Sequence, residues 1–253
     1  MYRVTGVFGL AMVVFWLSQF PLYMQGDPSI SMYDGAAVSR SLYRIHNIVF
    51  TRILLDMGLF ITGMVFAAAF RDLIRRARPD YEWVGTLQFG AWVVWIAVSL
   101  VANGLEGGSA LDTLGGNADP SAIRALTMGT LLIYNGSIAF AMTALFLAAA
   151  GYATFATGVL PRWTGWLAYV GVVLCIASVP AIYGGPVDPS GLYNAGGWGP
   201  AIMANFPPAI WFVGASLAML WKREARVSAA PTPGGSAETT LQVGAGIPAG
   251  SPD

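Results

Sequence analysis

Histidine, cysteine and charge are all scarce in this sequence, and each scarcity removes a class of function. His46 is the one histidine and Cys175 the one cysteine among 253 residues. An intramolecular disulfide is therefore excluded, as is a zinc site built from several cysteines. A metal would depend almost entirely on oxygen ligands. Charged residues make up 10% of the chain, against about a quarter in a soluble domain, so the polar surface needed in water is missing. Thirteen basic residues balance thirteen acidic ones, which leaves no basic field to hold nucleic-acid phosphates. Catalytic signatures are missing too: no H-E-x-x-H, G-x-S-x-G or nucleotide-binding loop occurs. Gly107-Gly108 and Gly115-Gly116 are too loose for a phosphate cradle. A Ser or Cys nucleophile would need a base beside it. The single histidine lies roughly 15 Å along its helix from the nearest buried carboxylate, Asp56.

What the chain has in abundance is apolar sequence, at 56% of residues. It falls into six runs of about the length that crosses a bilayer. They are Thr5 to Met24, Arg44 to Phe70, Trp83 to Val101, Ala125 to Phe155, Trp163 to Tyr183 and Pro200 to Trp221. Arg3 gives the first run a basic start like that of a secretory signal. Gln19-Phe20-Pro21-Leu22-Tyr23 lacks a small-x-small cleavage pattern, so the run reads as a retained span. Asp34 is placed to cap a helix that starts near Ala36 and runs into the second span, making that helix unusually long. Asn103 to Pro120 reads as a Gly- and Asp-rich loop, and Pro207-Pro208 as an interruption of the sixth span. From Lys222 onward Ala, Pro, Gly, Ser and Thr dominate, which predicts a disordered tail over 222–253.

The second span organises the rest, because it carries Arg52 and Asp56 within hydrocarbon-length sequence. Spaced i, i+4, they share a helix face about 40° apart. A membrane-embedded charge turns towards a partner or a wet cavity, and the spacing leaves both options open: a mutual pair, or the charged wall of a cavity. Other polar residues in the spans fall at similar depth. Thr127, Thr130, Tyr134 and Ser137 form one stripe on the fourth span, flanked by Asn135. Glu106 and Asn103 close the third span, and Asn205 precedes the paired prolines, whose missing N–H groups free carbonyls that need other partners. Arg52, Asp56, Glu106, Tyr134, Asn135 and Asn205 are thus the candidate cluster, either a ligand site or structural glue. The Thr/Tyr/Ser stripe also fits plain helix packing. His46 reads as an interfacial residue. Trp83, Trp163, Trp166, Trp198 and Trp221 sit at span ends, as an aromatic belt requires. That belt, with lipid-facing packing, accounts for the 13 Phe and nine Trp without invoking a cofactor. No internal repeat is evident, since a span matching the second in an inverted pair would be the fifth, which has no charge.

The segment Thr157 to Ile176 (TGVLPRWTGWLAYVGVVLCI) places the turn Leu160-Pro161-Arg162-Trp163 before Gly165-Trp166-Leu167. It resembles a recurring feature of uncharacterised bacterial multi-span membrane proteins classed as a domain of unknown function. The opening TGVFGL and the basic turn after the second span fit the same group. The resemblance covers Met1 to Trp221 and implies a six-helix integral membrane fold in a bacterial inner membrane. It brings no activity and transfers no functional residue.

The sequence therefore predicts an all-α membrane protein of six transmembrane helices in one bundle, residues 1–221, followed by the tail. The polar cluster points to a cavity in the outer half that binds a small or amphipathic ligand, or to a subunit of a larger membrane assembly. The alternatives are an intramembrane enzyme using Asp56 as acid or base with Arg52 as clamp, and a proton-coupled secondary transporter. The expected partners are the lipid bilayer and either that ligand or other membrane subunits, and not nucleic acid. Orientation follows from the positive-inside bias. Arg3, Arg71, Arg75, Arg76, Arg78, Arg162, Lys222, Arg223 and Arg226 fall on one side, nine of thirteen basic residues. Both termini are then cytoplasmic, in a multi-pass protein of the cytoplasmic membrane. In a cysteine-free background, a membrane-impermeant thiol reagent is expected to label a cysteine placed within 103–120 and none within 71–79. The reverse pattern would invert the topology.

Overall fold

A computed structural model describes residues 1–26, 30–134, 136–185, 192–195 and 197–222. Asn135 and the expected tail beyond Lys222 lie outside the described residues. Among these residues there is no strand. Six helical stretches are long and apolar enough to cross a membrane, which makes this an all-α, six-helix membrane bundle. Helix α1 (Tyr2–Ser18) breaks at Gln19 and continues as one short turn, α2 (Phe20–Tyr23). Helices α3 (Gly35–Ala77) and α4 (Glu82–Leu114) form a long hairpin. Helix α5 (Pro120–Tyr134) gives way to α6 (Ser137–Thr157). Gly158, left-handed at φ 65°, then turns the chain into α7 (Arg162–Ser178), as the missing Cβ allows. Helix α8 (Trp198–Trp221) closes the bundle.

One end of the bundle is basic and laced with ion pairs. Arg71 reaches Glu82 across the α3–α4 turn at 2.9 Å, and Asp72 holds Arg75 and Arg76 at 2.6 Å each. Lys222 donates to the Val159 carbonyl at 3.1 Å and to the Tyr2 hydroxyl at 3.0 Å. That residue, expected to open the tail, instead ties the end of α8 to the α6–α7 turn and to the start of α1. Outward-facing Val14, Leu54, Ile61, Val173 and Ile210 are all more than half exposed. On spanning helices those faces meet lipid.

The middle of the bundle is filled with rings. Phe66, Phe70, Phe140, Phe146, Trp92, Trp211 and Phe212 are all buried, and Phe146 lies 5.3 Å from both Trp92 and Phe212 between ring centroids. Trp83, Trp163, Trp166, Trp198 and Trp221 are each at least half exposed. The core rings, expected to face lipid, instead pack against one another. Close approach is made possible by glycine: a side chain at Gly63 would run into the Trp92 ring and the Met12 sulfur.

Two helices overrun the bilayer. At about 1.5 Å per residue, the 43 residues of α3 reach twice the ~30 Å hydrocarbon thickness. The overrun begins where the sequence suggested, with Asp34 accepting from the Ala37 N–H at 2.9 Å. Helix α4 extends through most of the segment expected to be a loop. Ser109 and Thr113 satisfy their hydroxyls on the carbonyls of Leu105 and Ala110 at 2.6 and 2.7 Å, and no proline falls between Pro79 and Pro120. Away from the basic end, Val38, Leu42 and Val49 of α3, Ala110 of α4 and Ile123 of α5 form a second small core. This helical cap sits over the far end of the bundle.

Two further expectations are corrected. The fourth span is not one helix, because Gly136 is extended at φ −130° and ψ −172° between α5 and α6. The sixth span is not interrupted: Pro207 and Pro208 lie inside a continuous α8. A proline removes the donor for the carbonyl four residues earlier. Cys175 Sγ supplies a weak replacement to the Ala204 carbonyl at 3.6 Å.

Candidate functional site

Four segments converge on the level of Arg52 and Asp56: the α1–α2 break, α3, the far half of α4, and the end of α5. Asp56 lies 15 residues before Arg71 on α3, or about 22 Å along the helix. That depth is within the bilayer and in the half away from the basic end. Arg52 and Asp56 are 8% and 5% exposed, so neither is solvated by bulk water.

The two do not pair with each other. Arg52 faces Glu106 on α4 with both prongs of its guanidinium, Nη1 at 3.0 Å from Oε1 and Nη2 at 3.2 Å from Oε2. This two-pronged geometry is the strongest that arginine makes with a carboxylate. Its guanidinium carbon also lies 3.7 Å from the centre of the Tyr23 ring, a cation–π contact. Asp56 is held by neutral donors. Gln19 Nε2 donates to Oδ1 at 2.7 Å and the Tyr134 hydroxyl to Oδ2 at 2.9 Å. The Asn103 amide lies beside the same carboxylate, outside strict hydrogen-bond geometry.

The charged wall expected from the sequence is divided between two cavities. Asp56 lines one of about 200 Å3, walled by Trp16, Phe20, Tyr23, Trp95, Trp198 and Phe206, with Gln19, Tyr134 and Asn205 as further polar groups. A small extension of about 30 Å3 continues inward past Trp92 and Phe140. Arg52 and Glu106 line a second cavity of about 180 Å3 with Thr127, Thr130 and Leu131. Tyr23 and Tyr134 face both and form the partition between them.

Of the candidate residues, Arg52, Asp56, Glu106 and Tyr134 are brought together, and Asn205 lies across the larger cavity from α3. Asn205 also donates to the Ala201 carbonyl at 2.8 Å. The Thr127, Thr130 and Ser137 hydroxyls are spent on packing. Thr127 bonds the Ile123 carbonyl at 2.9 Å, Thr130 those of Leu126 and Ala102 at 3.2 and 3.3 Å, and Ser137 that of Val179 at 2.5 Å. His46 bonds its own helix at the Tyr43 carbonyl, 2.7 Å away, and takes no part. Two site residues escaped the sequence reading, Gln19 and Tyr23. The available signal was a glutamine inside an apolar run, at a position 3% exposed in the fold.

No family model matches the chain, and neither the curated proteins nor the solved structures provide a match.

The pairing makes a double-mutant test decisive. Glu106→Leu strands Arg52 in a buried setting and is expected to cost roughly 3–5 kcal/mol. Arg52→Leu strands Glu106 at a similar cost, and the double leucine variant should recover most of it. Asp56→Asn is expected to melt within a few degrees of wild type, because an amide still accepts from Gln19 and can donate to the Tyr134 oxygen. Thermal unfolding in detergent reads all four variants. Collapse of Asp56→Asn, or a double variant as unstable as the sum of the singles, would refute these assignments.

Proposed function

We propose that the protein is a membrane-embedded binding protein for a small amphipathic molecule, held in the larger cavity. The observation that carries this reading is the composition of the cavity wall: six aromatic side chains on one hand, and one buried carboxylate with amide and hydroxyl neighbours on the other. Binding sites commonly combine an apolar lining with a few placed polar groups. A dry apolar cavity of about 150 Å3 is enough to take benzene, so about 200 Å3 suits a ring bearing a short polar arm. The ring would lie among Trp16, Trp95, Trp198 and Phe206, and the arm would meet Asp56 and Asn205. By the positive-inside bias the basic end is cytoplasmic, and the cavity then belongs to the outer half of a cytoplasmic-membrane protein.

The enzymatic alternative asks Arg52 to clamp a reacting group beside Asp56. Its engagement with Glu106 and its position on the other cavity argue against that role. Proton-coupled transport has one observation in its favour. Gln88, Trp92, Ser99 and Asn103 lie on one face of α4, within about 60°. Each is buried with a side-chain polar atom that has no partner among the described residues. That row runs about 22 Å along the helix, from beside Asp56 towards the basic end, and hydrated it would relay protons.

Binding is tested with 4-bromophenethyl alcohol, whose bromine quenches tryptophan on contact. Saturable quenching is expected for the wild type and its loss for Ala201→Phe, which fills the cavity. Quenching that never saturates, or that survives in the filled variant, would refute the site. Transport is tested in proteoliposomes with an entrapped pH dye and an imposed potassium diffusion potential. Proton uptake that falls several-fold in Gln88→Leu supports the relay, and no uptake above protein-free vesicles removes it.

A further inference from the structure

With its side chains ionised, the site does not balance in charge. Two carboxylates, Glu106 and Asp56, share the neighbourhood with one cation, Arg52, and Glu106 takes both prongs of that guanidinium. Among the described residues Asp56 has no ion-pair partner; its hydrogen bonds come from the uncharged Gln19 and Tyr134. Lys222 is at the opposite end of the bundle, and His46 is bound to its own helix. A carboxylate facing a cavity at membrane depth without a counter-charge is unfavourable, and a cation entering beside it relieves that cost. The rest of the wall suits a cation as well. Indole and phenol faces attract ammonium groups, tryptophan most strongly, and quaternary ammonium ligands are recognised by cages of such rings. Trp16, Phe20, Tyr23, Trp95, Trp198 and Phe206 surround this cavity.

We infer that the occupant of the larger cavity carries a single ammonium group on an apolar body, with the cation beside Asp56 and the body among the rings. The inference rests on the binding reading above and narrows it to one chemical class. Two sources offer that chemistry, a free lipophilic amine and the ammonium headgroup of a membrane lipid. An anionic ligand is disfavoured by the same carboxylate. A doubly charged cation would overcompensate it.

The test compares benzyltrimethylammonium, whose charge does not titrate, with its uncharged carbon isostere, neopentylbenzene. Both are titrated against full-length protein in dodecyl maltoside, following tryptophan fluorescence with calorimetry as a second readout. The cation is expected to bind at least tenfold more tightly than the isostere. Asp56→Asn, verified as folded by near-ultraviolet circular dichroism, should erase that preference while keeping binding of the isostere. Equal affinities in the wild type would overturn the ammonium assignment and leave the cavity reading standing. If neither compound binds, the cavity reading falls with it. The wild-type comparison stands without any variant, so a misfolded Asp56→Asn does not protect the claim. Adding a short-chain phosphatidylcholine separates the two sources. Competition with the probe identifies a lipid headgroup, and its absence identifies a free amine. A cation preference that persists undiminished in folded Asp56→Asn would also overturn the assignment.

Discussion

The two-pronged contact between Arg52 and Glu106 is the interaction on which the half of this bundle away from the basic end depends. It joins α3 to α4 where both leave the bilayer, and it places the guanidinium under the Tyr23 ring at the end of α2. A buried ion pair is weak evidence for net stability, since desolvating two charges offsets much of their attraction. Its effect is better described as registration. A slide of one helix turn, about 5.4 Å, would separate both prongs and strand two charges. The pair also removes Arg52 from any competition for Asp56. With the arginine committed elsewhere, Asp56 faces the aromatic cavity and draws only neutral hydrogen bonds from the protein.

Much of this architecture was legible in the sequence, for reasons that differ between elements. Six spans follow from hydropathy because each has to meet the length of the bilayer. The long α3 was legible from Asp34, whose capping role is a local property. Arg52 and Asp56 stood out because charge in hydrocarbon is rare, and their shared face follows from helical periodicity. Periodicity, however, places residues on a face without naming the helix opposite. The choice of Glu106 over Asp56 as the partner of Arg52 is made by tertiary packing 54 positions away in sequence. Gln19 was hidden for the same reason: one amide in an apolar run gains its meaning only from Asp56 across the bundle.

Errors at element boundaries have equally physical causes. Glycines near positions 104–108 suggested a loop, yet the backbone remains helical because packing on α3 and α5 outweighs the propensity cost of about 1 kcal/mol per glycine. Pro207 and Pro208 suggested a break, yet neighbouring helices in a membrane protein can absorb a freed carbonyl, as Cys175 does for Ala204. The break that does occur falls at Gly136, part of an Asn-Gly dipeptide that is a turn signal in the sequence but was outweighed by the apolar runs on either side. The Phe and Trp residues were accounted for by an interfacial belt and lipid-facing packing, whereas ring-on-ring packing buries many of them in the core.

The cap and the cavity are connected through one side chain. Helix α5 is held in the cap at Ile123 and ends at Tyr134, whose hydroxyl reaches Asp56. The same ring lines both cavities. A displacement of α5 therefore cannot leave Asp56 unaffected, because the hydrogen bond to Oδ2 and the partition between the cavities move together. Gly136, at the start of α6, is extended rather than helical. The overrun of α3 and α4 beyond the bilayer supplies the platform against which α5 rests. The buried charge sets the register of the long helices, those helices build the cap, and the cap returns a hydroxyl to the carboxylate that the pair left free.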